Sequence, residues 1–305
     1  VAEGTRAEDA AVNAAIDAGL RHWGPRWAGD ILQSRDAMLR LYEPLLRASG
    51  VRRRQAGQAI AYGPHARQVM DVFVPERAQR APLLVFVHGG AFVRGERDLS
   101  PYVHANVAAE FAAHGYVAAS VGYRLAPQAA WPEGACDVLA AMAWLRSHAA
   151  RFGADPHRMF LMGHSAGCAH CATAAWDARA SGTPPDLAGL ILVSPRLRID
   201  LGDANPNRGG VLAYYGADPA AHADRAPLSR LTLRTPVLVV SAGYENPGLH
   251  QDVEELQAQA AGPGQDARRL TRLHFPEHNH VSIVAQFNTH LNRLGTQIRD
   301  WCEDK

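Results

Sequence analysis

Arg158-Met159-Phe160-Leu161-Met162-Gly163-His164-Ser165-Ala166-Gly167 decides how this chain is read. Residues 158–162 read as a short buried strand, and the alanine-rich run from about Cys168 to Ala180 reads as a helix. G-x-S-x-G at such a junction turns the backbone sharply, and its glycines keep Cβ atoms out of the turn. The serine Oγ is then held out at the top of a sheet, beside the positive end of the following helix. Five residues of this composition arise by chance. The weight lies in the strand–turn–helix context and in what flanks it.

Upstream, Pro82-Leu83-Leu84-Val85-Phe86-Val87 is a continuous apolar run, as expected of a strand buried on both faces. It ends in His88-Gly89-Gly90-Ala91-Phe92, which resembles the HGGG-type oxyanion loop of lipases and esterases with Ala91 in place of the third glycine. Backbone N–H groups of Gly90, Ala91 and Ala166 are the expected donors to a carbonyl oxygen as it becomes negative, each contributing about 3–4 kcal/mol. A serine nucleophile also needs a base and a group that orients the base, in the chain order Ser, Asp or Glu, His. Thr235-Pro236-Val237-Leu238-Val239-Val240-Ser241 reads as a late strand, and Glu245 is the first carboxylate after it. Asp252 is the second candidate acid, in the helix that follows. Arg272-Leu273-His274-Phe275 reads as the last strand, followed by His278 and His280. His280 directly precedes the apolar start of a predicted helix over 281–287 and is the expected base, with His278 as the alternative. His274, His278 and His280 lack a surrounding Cys/His framework, so no metal is expected there, and acyl transfer by a serine, histidine and carboxylate requires no organic cofactor.

Ser165, Glu245, His280 and loop 88–91 together resemble the α/β-hydrolase superfamily, near the hormone-sensitive-lipase-like carboxylesterases. Tyr123-Arg124-Leu125-Ala126-Pro127 and Asp155-Pro156-His157-Arg158 resemble segments of the same group, and the likeness runs from about residue 68 to 300. Those esterases carry Asp-x-Leu in the acid loop. Glu245-Asn246-Pro247-Gly248-Leu249-His250 is closer to kynurenine formamidases, which also have a non-glycine residue at the position of Ala91. The resemblance implies a serine hydrolase acting on a small ester through an acyl-enzyme. Hydrolysis of a formamide such as N-formylkynurenine is the alternative. A catalytically silent small-molecule-binding protein on the same fold is the reading from another class.

Composition sets limits. A chain of 305 residues, 47% of them hydrophobic, can bury one large core, and from residue 83 strands alternate with helices, giving an α/β fold with a mostly parallel sheet. Residues 58–76 read as an antiparallel strand pair. Residues 1–50 read as helices, carrying Trp23, Trp27, Leu39, Tyr42 and Leu46, that either cap the active-site mouth or flank the sheet. Residues 51–305 form the catalytic domain, with an insertion at about 195–235. Phe92, Tyr214 and Tyr215 are candidate substrate contacts. Lysine plus arginine is 31 against 30 for aspartate plus glutamate, which gives no support for nucleic-acid binding. No apolar stretch reaches a membrane span and no signal-peptide core follows the N-terminus, so a cytoplasmic location is expected. Cys168 and Cys171 form C-x-x-C on a helix that packs under the sheet, where cysteine acts as a small hydrophobe. The last strand and helix offer an edge for a homodimer.

Overall fold

Strands rich in Val, Leu, Ile and Ala, buried on both faces, build the centre of the molecule. A computed structural model describes residues 2–305, with every side chain in that range except those of residues 2–9, Arg53 and Ser181. Val1, the first residue of the expected N-terminal helical segment, lies outside the described residues. The strands are β1 (Gln55–Ala61), β2 (Val69–Phe73), β3 (Ala81–Val87), β4 (Val117–Val121), β5 (Ala154–His164), β6 (Gly189–Val193), β7 (Val237–Tyr244) and β8 (Leu270–Asn279). They form one sheet in the order β1-β2-β4-β3-β5-β6-β7-β8. β1 and β2 form the antiparallel pair, and β2 meets β4 antiparallel. All other neighbours run parallel.

The helices are α1 (Ala2–Trp23), α2 (Ile31–Ser49), α3 (Ala105–Ala113), α4 (Glu133–Ser147), α5 (Ala166–Trp176), α6 (Ala178–Ser181), α7 (Arg208–Tyr215), α8 (Pro219–Arg225), α9 (Leu249–Ala260), α10 (Ser282–Ala285) and α11 (Arg293–Glu303). On one face of the sheet α4, α5 and α9 bury Val138, Leu145, Cys168, Cys171 and Leu256. On the other, residues of α3, α10 and α11 share a core with Phe86, Phe160 and Val240. Ile16, Leu20, Trp27, Met38, Tyr42 and Leu46 join that second core, so the N-terminal helices flank the sheet through their apolar side. α1 packs on β8 and α2 on α10. Among the described residues no helix is long and apolar enough to cross a membrane. The register aligns Val87 with Gly163 and His164 with Val193, so the carboxyl ends of β3, β5 and β6 open onto one crevice. In parallel sheets that end is where ligands bind.

Candidate active site

Ser165 stands between β5 and α5 with φ 55° and ψ −121°, a conformation that L-residues avoid. Such strain costs on the order of 1–3 kcal/mol and persists only where the surroundings impose it. Here the Ser165 N–H donates to Val193 O at 3.0 Å, and Ser165 O accepts from Cys168 N–H at 3.0 Å. Gly167 is required by proximity: a Cβ there would lie 2.2 Å from Val87 O. The turn therefore presses against the end of β3, where loop 88–92 begins.

The loop after β8 brings His280 to the serine, and the loop after β7 brings Glu245 to His280. Ser165 Oγ lies 2.9 Å from His280 Nε2, and His280 Nδ1 lies 2.6 Å from Glu245 Oε2. The carboxylate accepts at Nδ1, so Nδ1 carries the proton and Nε2 faces the hydroxyl as an acceptor. The other Glu245 oxygen accepts from Ser194 Oγ–H at 2.6 Å and from Ala242 N–H at 2.8 Å. The His280 backbone is held as well: its N–H donates to Tyr244 O, and its carbonyl accepts from His164 Nε2–H, each at 2.9 Å. Ser194 and His164 are supports that the sequence reading did not single out.

Gly90 and Ala91, two of the expected oxyanion donors, line the same cleft as Ser165 and His280, and Ala166 directly follows the serine. Gly90 has φ 147°, and a Cβ there would sit 1.8 Å from Arg94 O. Ala91 and Phe92 follow with φ 52° and 70°, both unusual for residues with a side chain. No acceptor among the described residues takes the N–H of Gly90, Ala91 or Ala166. Packing and clamps hold the loop in this shape. The Phe92 ring stacks on Tyr214 at 4.7 Å and meets Tyr215 and His170 edge-on at 5.5 Å. Tyr123 Oη–H donates to His88 O at 3.0 Å, and Ala126 N–H donates to Phe92 O at 3.0 Å. Arg67 ties Tyr123 O to Gly95 O from outside. Phe92, Tyr214 and Tyr215, expected above to touch substrate, form a buried cluster behind the loop and are not among the residues that line the cleft.

The other histidines and the second acid are engaged elsewhere. His274 Nδ1 pairs with Ser241 Oγ at 2.9 Å. His278 lies between Ser282 Oγ and Gln286 Nε2. Asp252 accepts from Leu197 N–H and from Arg198 Nε–H, clamping the start of the insertion. Cys168 and Cys171 are buried free thiols whose pKa values burial raises. Among the described residues no group of His, Cys, Asp and Glu is placed to hold a metal ion.

Buried neutral imidazoles make the fold acid-sensitive. Burial lowers the pKa of His104 and His278 to about 4 and that of His170 to about 3. In the unfolded chain each takes a proton near pH 6.5, so the unfolded state binds more protons below that pH. Their contribution is fully present above pH 6.5 and declines by about 1.4 kcal/mol per pH unit for each group as pH falls toward 4. Urea midpoints measured from pH 7 to 4.5 are expected to fall steeply below 6.5. A flat profile would contradict neutral burial.

A cleft above the serine is lined by Gly89, Gly90, Ala91, Ser165, His280 and, from the N-terminal segment, by Trp27, Ile31, Leu32 and Arg35. Trp27 is 1% exposed, its ring lies 5.8 Å from that of His280, and its Nε1–H donates to Asn246 Oδ1 at 3.0 Å. The acid loop is thus tied to the segment between α1 and α2. Trp27→Phe keeps an aromatic ring but leaves the buried Asn246 oxygen without this donor. It is expected to lower unfolding free energy by about 1–3 kcal/mol in urea. An unchanged midpoint would show that the bond does not hold the two segments together.

A mostly parallel eight-stranded sheet covered on both faces by helices, with Ser165 on a sharp turn after β5, defines the α/β-hydrolase fold. The chain has that fold, and the known proteins it is similar to include esterases. The family described as BD-FAE matches residues 70–181. Esterase LipC of Mycobacterium tuberculosis (strain ATCC 25618 / H37Rv) is 33% identical over 162 residues, 52% of this chain and 36% of LipC. Esterase LipQ of the same strain is 30% identical over 206 residues, 66% of this chain and 45% of LipQ. The chain spans less than half the length of these curated relatives. A solved esterase from Pyrobaculum calidifontis superposes with a TM-score of 0.69 at 20% identity, covering 93% of this chain and 97% of that one.

Proposed function

We propose that this chain hydrolyses small carboxylic esters through an acyl-enzyme on Ser165. The observation that carries this reading is the unbroken hydrogen-bonded line from Ser165 Oγ through His280 to Glu245. His280 takes the serine proton as Oγ attacks the substrate carbonyl, and Glu245 stabilises the imidazolium that forms. The N–H groups of Gly90, Ala91 and Ala166 receive the oxyanion. The imidazolium gives its proton to the leaving alcohol. Water, deprotonated by the same imidazole, then cleaves the acyl-enzyme and releases the acid. α2 and the segment before it form one wall of the substrate cleft. No step draws on a metal or a cofactor.

A formamide is the second reading, and one observation favours it. Asn246 lines the cleft, and its Oδ1 is engaged by Trp27, which leaves the Nδ2 amide as a donor for a polar substrate. Hydrolysis of p-nitrophenyl butyrate and N-formylkynurenine, measured side by side, separates the two. Ester preference supports the first reading, and formamide preference moves the assignment to the second. No turnover of either, together with no covalent labelling of Ser165 by a fluorophosphonate, would leave a binding protein.

A further inference from the structure

The cleft above Ser165 carries a charge that the chemistry of acyl transfer does not use. Its lining includes two arginines, Arg35 from α2 and Arg94 from the turn after loop 88–92, and no aspartate or glutamate. Arg94 is held from both ends. Its N–H donates to Gly90 O at 3.0 Å, and its Nη2–H donates to Asn207 Oδ1 at 2.8 Å. That amide oxygen is neutral, and no carboxylate among the described residues lies within ion-pairing distance of Arg94. Arg35 is partly neutralised by Asp36 at 2.7 Å.

Arg94 remains open to solvent, yet the surrounding atoms withdraw enough water to lower its pKa, and the Arg35 charge lowers it further. A guanidinium in a positive field, with N–H groups free and a reacting serine in the same cleft, is a site for an anion. Its planar fork fits a carboxylate with two parallel hydrogen bonds. With Arg35 partly offset by Asp36, Arg94 is the cleft arginine that has no carboxylate partner among the described residues. That balance suits a monoanion better than a phosphate dianion.

We infer that Ser165 acts on acyl derivatives bearing a carboxylate, which Arg94 grips and Arg35 supports. This rests on the serine-hydrolase reading above and names its substrate class. Two matched ester pairs test it: 4-acetoxybenzoate against its methyl ester, with the charge on the leaving group, and mono(4-nitrophenyl) adipate against 4-nitrophenyl hexanoate, with the charge on the acyl group. Each kcat/KM is divided by the alkaline hydrolysis rate of the same ester, which removes differences in intrinsic reactivity.

The anionic member is expected to be preferred in at least one pair. In Arg94→Gln the anionic-to-neutral ratio is expected to fall by about 10- to 100-fold, mainly through KM. Arg94→Lys should recover part of it, and added salt should lower the ratio in the wild type far more than in Arg94→Gln. A wild-type ratio at or below one in both pairs overturns the inference, as does a ratio that Arg94→Gln leaves unchanged. Turnover of the neutral esters in those cases shows that the hydrolase reading itself survives. Absence of turnover on all four esters, with Ser165 unreactive toward a fluorophosphonate, removes both.

Discussion

Ser165→Ala is expected to lower kcat on p-nitrophenyl butyrate by on the order of 10⁵- to 10⁶-fold, and His280→Ala by about as much. The double variant should lose little more than either single one. The reason is that the hydroxyl and the imidazole act as one unit. Without Nε2 to take its proton, Ser165 Oγ is a poor nucleophile, and without Oγ the imidazole at 2.9 Å has nothing to activate. What remains in each variant is the acceleration supplied by binding and by the N–H groups of Gly90, Ala91 and Ala166, about 10³- to 10⁴-fold over water. Independent contributions would instead multiply, and the double variant would fall to the uncatalysed rate. A single-variant loss below 100-fold would remove Ser165 from the chemistry. Alanine keeps the Cβ and every backbone bond of the turn and loses only the hydroxyl contact to His280, so little destabilisation is expected, and a melting curve distinguishes lost chemistry from lost structure.

Much of this arrangement was legible in the sequence because its signals are local. β3 and β7 declare themselves as unbroken apolar runs, and the glycines around Ser165 mark a turn that only a close approach of two backbones explains. Glu245 and His280 follow from order and position along late strands, and the structure brings both to Ser165. What was not legible depends on contacts between distant segments. Trp27 meets Asn246 across 219 positions, and Ser194 meets Glu245 across 51, with no spacing pattern to announce either. Tyr214 and Tyr215 suggest substrate contacts because they sit in an insertion rich in turn residues, and Phe92 because it is an apolar ring next to the oxyanion loop. Stacking of Phe92 on Tyr214 turned them inward, where they hold two residues of positive φ in place. The helix expected over 281–287 contracts to Ser282–Ala285 because Asn279 accepts from the N–H groups of Val281 and Ser282, and Asn288 takes φ 60°. Arg94 was passed over because a single arginine on a loop reads as solvated until the lack of a counter-charge around it can be seen.

Glu245→Gln is expected to lower kcat by about 10⁴-fold while leaving stability nearly unchanged, and the direction follows from hydrogen-bond polarity. Oε1 accepts from two donors, the Ser194 hydroxyl and the Ala242 N–H, and Oε2 accepts from His280 Nδ1. A glutamine amide has one accepting and two donating positions. The Ala242 N–H cannot change direction, so the amide oxygen takes its place opposite Ala242 and the –NH₂ group faces His280. Nδ1 must then accept, the ring proton moves to Nε2, and the imidazole presents a donor to Ser165 Oγ where an acceptor is required. Geometry survives while the tautomer is inverted, which in another serine hydrolase triad costs about 10⁴. The amide could avoid this only by turning its –NH₂ toward Ala242 N–H, a buried donor–donor clash. Glu245→Asp separates orientation from charge: the carboxylate survives, one methylene short of Nδ1, and a smaller loss than in Glu245→Gln is expected. If the glutamine variant retains more than a tenth of wild-type kcat, Glu245 does not set the imidazole tautomer. Asp252, the nearest other carboxylate in sequence, is bound to Leu197 and Arg198, so Asp252→Asn should instead show its effect in stability.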